Sequence, residues 1–408
     1  MKKVILLLTL LTSIFILLLN ASGYSTDPKQ LIIRQNQSSG DIVFRHMDGT
    51  TLLSQSFIEN VPDTNWNLAA TNNLPPDGSI NLPKTGQTTS YATGDDGDLE
   101  MGVAWPPTRF TPSGDCVTDN LTGLMWAKNA NLPNGTKTWQ QALDYFASMN
   151  SGTGLCGHHD WRLPNRKELR SLIDYSQYAP ALPAGHPFNV QSVSYWSSTT
   201  GAGKTGGAWY VDMWYGGVYG YDKGNSYYVW PVRAGQSGGD VFLPETGQTK
   251  CYNASGTEIS CTGTGQDGEI RAGVAWPPTR FTPSGDCVTD NLTGLMWAKN
   301  ANLPNGTKTW QQAPDYFASM NSGAGLCGYH DWRLPNVNEL ESLVNAQQEN
   351  TTWLNGQGFT NVQSYYYWSS TTGAYGTVNA WRVYMWNGRV SGDGKSSSYY
   401  VWPVRAGQ

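Results

Sequence analysis

Apolar positions follow three different rhythms along this 408-residue chain. From Val4 to Leu19 they form a nearly unbroken run, entered by Lys2-Lys3 and followed by the small residues Ala21, Ser22 and Gly23. Between 24 and 81 they alternate with polar residues. Leu31-Ile32-Ile33-Arg34, Asp41-Ile42-Val43-Phe44-Arg45 and Thr51-Leu52-Leu53 read as short strands around turns at Ser38-Ser39-Gly40 and Asp48-Gly49. Further on the spacing turns helical. Trp139, Ala142, Leu143 and Phe146 fall at i, i+3, i+4 and i+7, one buried helical face, and Thr138 with Gln141 supplies a capping box at its start. A second helix is predicted over 165–173, opened by Asn165-x-x-Glu168, and again from Asn336-x-x-Glu339 with Leu343 and Val344 buried. Only short β runs and glycines follow, ending at Tyr228-Val229-Trp230-Pro231-Val232-Arg233 and Tyr400-Val401-Trp402-Pro403-Val404-Arg405. Two helices plus a small, twisted, mostly antiparallel sheet make an α+β unit of about 150 residues.

That unit occurs twice. Residues 102–165 recur as 273–336 with three substitutions in 64 positions: Leu143 becomes Pro314, Thr153 becomes Ala324 and His158 becomes Tyr329. Pro314 removes a backbone donor and crowds the carbonyl of Trp310, so the helix of the second copy is predicted to be shorter or kinked. Matching tags, Leu82 to Thr88 and Leu243 to Thr249, open the two copies. The chain thus divides into a leader at 1–23, a short β segment at 24–81, a first domain at 82–236, a linker at 237–242 and a second domain at 243–408.

The tails after 165 and 336 differ far more than the segments before them, as in a scaffold carrying an adjustable surface. Trp209, Val211, Met213, Trp214, Gly216, Val218 and Gly220 recur as Trp381, Val383, Met385, Trp386, Gly388, Val390 and Gly392. Between them Tyr210 becomes Arg382, Asp212 becomes Tyr384, Tyr215 becomes Asn387, Gly217 becomes Arg389, Tyr219 becomes Ser391 and Tyr221 becomes Asp393. The two sets alternate with period two, broken once at Met213-Trp214. Side chains on a strand alternate faces, so the constant set should pack inward and the changing set should face out. A drifting solvated face usually collects Lys, Glu and Ser. Here Tyr, Arg, Asn, Asp, Ser and Gly accumulate, the composition of adaptable binding surfaces. Tyr210, Asp212, Tyr215, Tyr219 and Tyr221, with Arg382, Tyr384, Asn387, Arg389 and Asp393, are the candidate ligand-binding residues.

Composition narrows the setting. Charged residues are 14% of the chain, the net charge is −5, and Lys and Arg are scattered, which argues against a nucleic-acid partner. Gly (46) is abundant, as expected of many turns, and Tyr (22) and Trp (18) at this level fit either a core or a recognition surface. The opening run reads as a signal peptide cleaved near Gly23, against a membrane anchor: it is shorter than the ~20 residues of a span. Six cysteines in an exported chain read as disulfides rather than metal ligands, with no Cys-x-x-Cys and few His. If each copy satisfies itself, the pairs are Cys116–Cys156, Cys287–Cys327 and Cys251–Cys261. The protein is expected in the periplasm, at the cell surface or secreted.

Five ordered motifs carry a resemblance. Asp119-Asn120-Leu121-Thr122-Gly123-Leu124-Met125-Trp126, Thr138-Trp139-x-x-Ala142, Asp160-Trp161-Arg162-Leu163-Pro164-Asn165-x-x-Glu168-Leu169, Tyr195-Trp196-Ser197-Ser198-Thr199 and Val232-Arg233 resemble the Lcl C-terminal domain family, and the second copy matches at all of them. The resemblance implies a C-type-lectin-like fold, related to formylglycine-generating enzymes and retroelement-diversified variable proteins, and surface adhesion with sulfated glycans as ligands. The chain lacks the collagen-like stalk of the namesake, and its acidic balance weakens a sulfated-glycan inference. The segment with Val61-Pro62-Asp63-Thr64-Asn65-Trp66 resembles one FG-GAP/VCBS repeat whose calcium loop, Thr71 to Gly78, is degraded.

No nucleophile–base arrangement is visible. His159 and His330 beside Asp160 and Asp331 are the nearest thing to one, and Asp160 with Arg162 is expected instead to brace the turn into the second helix. No cysteine follows Cys156 or Cys327 within either copy, so the formylglycine-generating chemistry is not expected. Asp95, Asp96 and Asp98, and Asp267 and Glu269, offer oxygen ligands for calcium, although their spacing matches no complete ligand set. The expectation is an adhesion or ligand-binding protein without catalysis or cofactor, recognising a glycan or extracellular protein. The alternatives are an orphan oxidase-like enzyme and a retroelement-diversified receptor-binding protein. The length change within the tails argues against the latter origin.

Overall fold

The computed structural model describes residues 80–234 and 239–406, together with the backbone of two strands nearer the N-terminus. The chain forms two units, 1–71 and 72–408. In the first, β1 (Leu31–Gln35) and β2 (Ile42–His46) pair antiparallel with Leu31 opposite His46. These are two of the strand runs expected there. The leader run, Thr51 to Leu53 and the degraded calcium loop lie outside the described residues.

The second unit holds both copies. The first consists of α1 (Asp96–Leu99), β3 (Phe110–Ser113), β4 (Cys116–Asp119), β5 (Met125–Ala127), β6 (Lys137–Thr138), α2 (Trp139–Met149), α3 (Arg166–Ser171), β7 (Ser194–Gly201), β8 (Lys204–Asp212), β9 (Val218–Asp222), β10 (Ser226–Tyr227) and β11 (Val232–Arg233). A small hairpin, β12 (Cys251–Tyr252) and β13 (Glu258–Ile259), precedes the second copy. That copy has α4 (Asp267–Ile270), β14 (Phe281–Ser284), β15 (Cys287–Asp290), β16 (Met296–Ala298), β17 (Lys308–Thr309), α5 (Gln312–Ser322) and α6 (Val337–Ser342). It continues with α7 (Asn350–Gly356), β18 (Tyr366–Thr372), β19 (Asn379–Tyr384), β20 (Arg389–Gly394), β21 (Ser398–Tyr399) and β22 (Val404–Arg405). The fold is α+β in two tandem copies.

The predicted capping boxes form. Thr138 and Gln141 exchange side-chain and backbone bonds at α2, as do Asn165 and Glu168 at α3 and Asn336 and Glu339 at α6. Pro314 acts differently from expectation. Helix α5 has the same length as α2, 11 residues, but starts two positions later in the repeat, so Pro314 falls at its third residue. In the first turn a backbone N–H has no intrahelical acceptor, so its loss costs little. The helix moves along the chain instead of shortening. Arg162 grips Glu168 with both terminal nitrogens, at 2.7 and 2.5 Å, as the bracing expectation requires. Asp160 takes another partner: it accepts from Arg233 Nε at 2.7 Å. His159 and His330 each bond the backbone oxygen of a helix-end asparagine, Asn150 and Asn321.

All three expected disulfides are present: Cys116–Cys156, Cys251–Cys261 and Cys287–Cys327. They fit an oxidising compartment. Among the described residues no helix is long and apolar enough to cross a membrane.

The copies are not beads on a string. Strands β18-β19-β20-β9-β8-β7 form one six-stranded antiparallel sheet, joined at the seam by Val390 opposite Val218. One buried core runs through both copies, from Trp126, Val211 and Trp230 to Trp297, Val383 and Trp402. The leading segments are exchanged across it. Ile80 N donates to Leu292 O, Gln87 Nε2 to Thr372 O, and Thr371 Oγ1 to Asp96 at 2.6 Å, all in the second copy. In return Val241 N donates to Leu121 O, Gln248 Nε2 to Thr200 O, and Thr199 Oγ1 to Asp267 at 2.6 Å, in the first. Val241, within the span read as a linker, is buried.

Helices α3 and α6 meet where the copies face one another. Glu341 accepts from Arg166 at 3.2 Å and from Arg170 at 3.4 Å, and Asn338 accepts from Arg170 at 2.7 Å. In the duplication Glu341 stands at the position of Arg170, and Val337 at that of Arg166. A symmetric pair would bring arginine against arginine. Divergence has made the two faces complementary.

Candidate ligand-binding face

The alternation read from the tails sets the orientation of the joined sheet. Trp209, Val211, Met213 and Val218 are buried, as are Trp381, Val383, Met385 and Val390. The opposite face carries the changing residues. Register places Tyr366 opposite Tyr384, Tyr384 opposite Arg389, Tyr219 opposite Tyr210 and Tyr210 opposite Trp196. Because Val390 pairs with Val218, Arg389 and Tyr219 are neighbours across the seam, and the Arg389 guanidinium lies 4.7 Å from the Tyr219 ring centre. A single row of aromatic and cationic side chains therefore crosses all six strands and both copies. Helix α2 covers one end of it, packing on Trp196 and Ala208.

The polar members are already organised. Arg382 lies 3.7 Å from the Tyr366 ring and 4.4 Å from that of Tyr399, and pairs with Asp393 at 3.0 Å. Tyr399 donates to Asp393 at 2.5 Å. Asp212 accepts from Trp214 N, and Asn387 from Arg389 N, so each fixes a turn as well as facing outward. Burial raises the phenols of Tyr210 and Tyr219 well above their ordinary value, and burial also raises that of Tyr215. All three stay protonated donors near neutral pH.

Several positions depart from the alternation. Trp214 and Trp386 belong to the constant set yet are 53% and 36% exposed, because β8 and β19 have ended and both lie in turns. Ser391, of the changing set, is 3% exposed among the larger side chains around it. Gly217 is covered by the Tyr219 ring.

The structure also gathers residues that sequence reading missed. At the seam the β8–β9 turn of the first copy meets the β18–β19 turn of the second. Tyr178, Trp214, Tyr215, Tyr219, Tyr375 and Gly392 line an open cleft of about 360 Å³ there. Tyr215 donates to Tyr219 Oη at 2.9 Å, and its ring lies 5.5 Å from Tyr375 and 6.1 Å from Trp381. Tyr178 and Tyr375 escaped notice because neither has an aromatic counterpart to compare. Exposed Trp214, a constant residue at the one break in the alternation, was the usable signal.

The calcium candidates are engaged by protein donors. Asp95 caps α1 through Asp98 N and accepts from Tyr91 N, and Asp98 accepts from Gly94 N. Asp96 accepts from Thr85 and Thr371, Asp267 from Thr199 and Thr246, and Glu269 from Gly263 N and Gly265 N. Among the described residues no three His, Cys, Asp or Glu side chains converge.

An α+β domain repeated in tandem, with a packed sheet and an open face of turns and aromatics, is the class of protein these features define. The chain belongs to the Lcl C-terminal domain family, whose model matches residues 115–233 and 286–405. No curated protein matches it. Both matched spans begin after the exchanged leaders.

Proposed function

We propose that this chain is an exported binding protein, without catalytic turnover, that recognises a glycan or an extracellular protein through the open face of the joined sheet. One observation carries the reading. The positions that differ between the matched strands form the continuous row through Tyr384, Arg389, Tyr219 and Tyr210, while the constant Trp209, Val211, Val218, Trp381, Val383 and Val390 between them are buried. Tyr in such a row supplies large contact area at low conformational cost, and Arg is a frequent anchor of binding energy. The C-type-lectin-like architecture implied by the family agrees with binding by an exposed variable surface. A glycan and protein array probed with the chain lacking residues 1–23 tests the reading, with selective binding and no chemical change in the ligand expected. Replacing Tyr210, Asp212, Tyr219 and Tyr221 with Ala together should abolish binding and leave the circular dichroism spectrum unchanged. Binding that survives this change removes the sheet face from consideration.

A further inference from the structure

The seam cleft is built from both copies, and duplication should have produced it twice. It did not. Trp214, Tyr215, Tyr219, Tyr375 and Gly392 correspond by the repeat to Trp386, Asn387, Ser391, Gly203 and Gly220. At that second location the aromatic walls are gone, and the Trp386 ring lies against Gly203, close enough that an added Cβ would meet it at 2.7 Å. One of two equivalent places thus carries flat aromatic walls, and the other is filled by its own tryptophan.

The walls themselves indicate the ligand. All six lining residues are Tyr, Trp or Gly, so the cleft presents ring faces and phenolic hydroxyls without a charged side chain. Trp214, Tyr178 and Tyr375 are 53%, 54% and 37% exposed, although large aromatics are ordinarily withdrawn from water. The volume falls in the range of about 300–1,000 Å³ typical of small-ligand sites. Pyranose rings have an apolar C–H face that packs on aromatic faces and a rim of hydroxyls that exchange bonds with phenols. A sulfated or otherwise anionic ligand would need cations in the lining. The Arg389 guanidinium is instead laid over the Tyr219 ring.

We propose that this cleft is a single binding site per chain for a neutral oligosaccharide, completed by Tyr375 of the second copy. The inference rests on the proposed binding function and specifies one place and one ligand class for it. The test titrates the chain lacking residues 1–23 with chitohexaose, cellohexaose and maltohexaose, and with a heparin hexasaccharide as the anionic contrast, by calorimetry and tryptophan fluorescence. At least one neutral sugar should bind at one per chain, quench fluorescence, and keep its affinity when salt rises from about 0.1 to 0.5 M, where charge-based binding is screened. Trp214→Ala and Tyr375→Ala should each weaken binding roughly tenfold or more, as central aromatic anchors do. Trp386→Ala, at the equivalent turn, should leave it unchanged. Binding of none of the three neutral sugars, two sugars per chain, or equal loss with Trp386→Ala would overturn the proposal. Salt-sensitive binding of the heparin hexasaccharide alone, lost when the open-face tyrosines are replaced, would overturn it while leaving the proposed function standing.

Discussion

At the scale of single residues, the charges buried between the copies should govern stability. Glu341 is the carboxylate shared by Arg166 and Arg170, all three nearly inaccessible to water. Burial alone would raise its carboxyl, but Lys167, Arg170 and Arg166 around it hold it below the usual carboxylate range. Glu341→Gln leaves buried guanidinium groups uncompensated and should cost about 3–5 kcal/mol in denaturant unfolding. Two other carboxyls respond oppositely to pH. Burial pushes Asp96 up to about 7 and Asp267 up to about 6, from an ordinary value of 3.8. A folded state that holds protons more tightly than the unfolded chain gains stability that is complete below about pH 4 and is lost as pH rises through 6 and 7. The Glu341 contribution runs the other way, present above about 4.5 and lost on acidification. Thermal stability should therefore peak in mildly acidic buffer and decline toward neutrality, while above about pH 7 Lys223, Lys167 and Lys395, pushed down by burial to about 7, 8 and 8, contribute the opposite slope. Asp96→Asn with Asp267→Asn, which keeps an oxygen to accept from the threonines, should flatten that decline. An unchanged slope between pH 5 and 8, scanned by calorimetry, would refute the role given to these two groups.

Individual elements were the part of the molecule most legible in the sequence. The apolar spacing of α2 and the Asn-x-x-Glu starts of α3 and α6 are local signals, satisfied by bonds within four residues. The inward set on β8 and β19 was legible for a similar reason, since two copies sharing a strand reveal which face must stay fixed. The short helices α1 and α4 were not, because the four-residue stretches Asp-Gly-Asp-Leu and Asp-Gly-Glu-Ile are too short to carry a periodicity. Nor was the seam cleft, whose walls come from both copies and include Tyr178 and Tyr375, which have no aromatic counterpart to mark them. Disulfide pairing was readable because the repeat removes most alternatives. Each long bridge closes a span of 40 residues. The chain-entropy estimate for a loop of that size is about 4 kcal/mol. Cys116→Ser with Cys156→Ser should lower stability by that order, and the same double change at Cys287 and Cys327 by a similar amount, measured by urea unfolding under oxidising conditions. A loss in one copy alone would mean that the two bridges constrain different unfolded chains.

The whole molecule carries the property that local reading could not reach, the exchange of leaders between copies. The seat that each leader takes on its neighbour has an almost identical counterpart on its own copy, since Leu121, Thr199 and Thr200 recur as Leu292, Thr371 and Thr372. Identical local signals cannot decide between them; the geometry of the joined sheet does. The exchange makes each copy incomplete alone. Without 243–272, Thr199 and Thr200 of the first copy lose Asp267 and Gln248, and buried polar groups are left without partners. Without 82–101 the second copy loses Asp96 and Gln87 in the same way. Two like fragments could try to substitute for each other, but pairing first copy with first copy sets Arg170 against Arg170 with no Glu341 between. Leaving such charges uncompensated costs about 3–5 kcal/mol, a preference of more than a hundredfold for the unlike pair. Fragments 72–234 and 239–408, prepared separately and mixed under conditions that preserve their disulfides, should therefore assemble as a one-to-one heterodimer with the thermal transition of the joined chain. Either fragment alone should melt earlier or self-associate weakly. Native mass spectrometry of the mixture decides the matter, and two fragments that each stay monomeric with the full transition temperature would show that the exchange contributes nothing to stability.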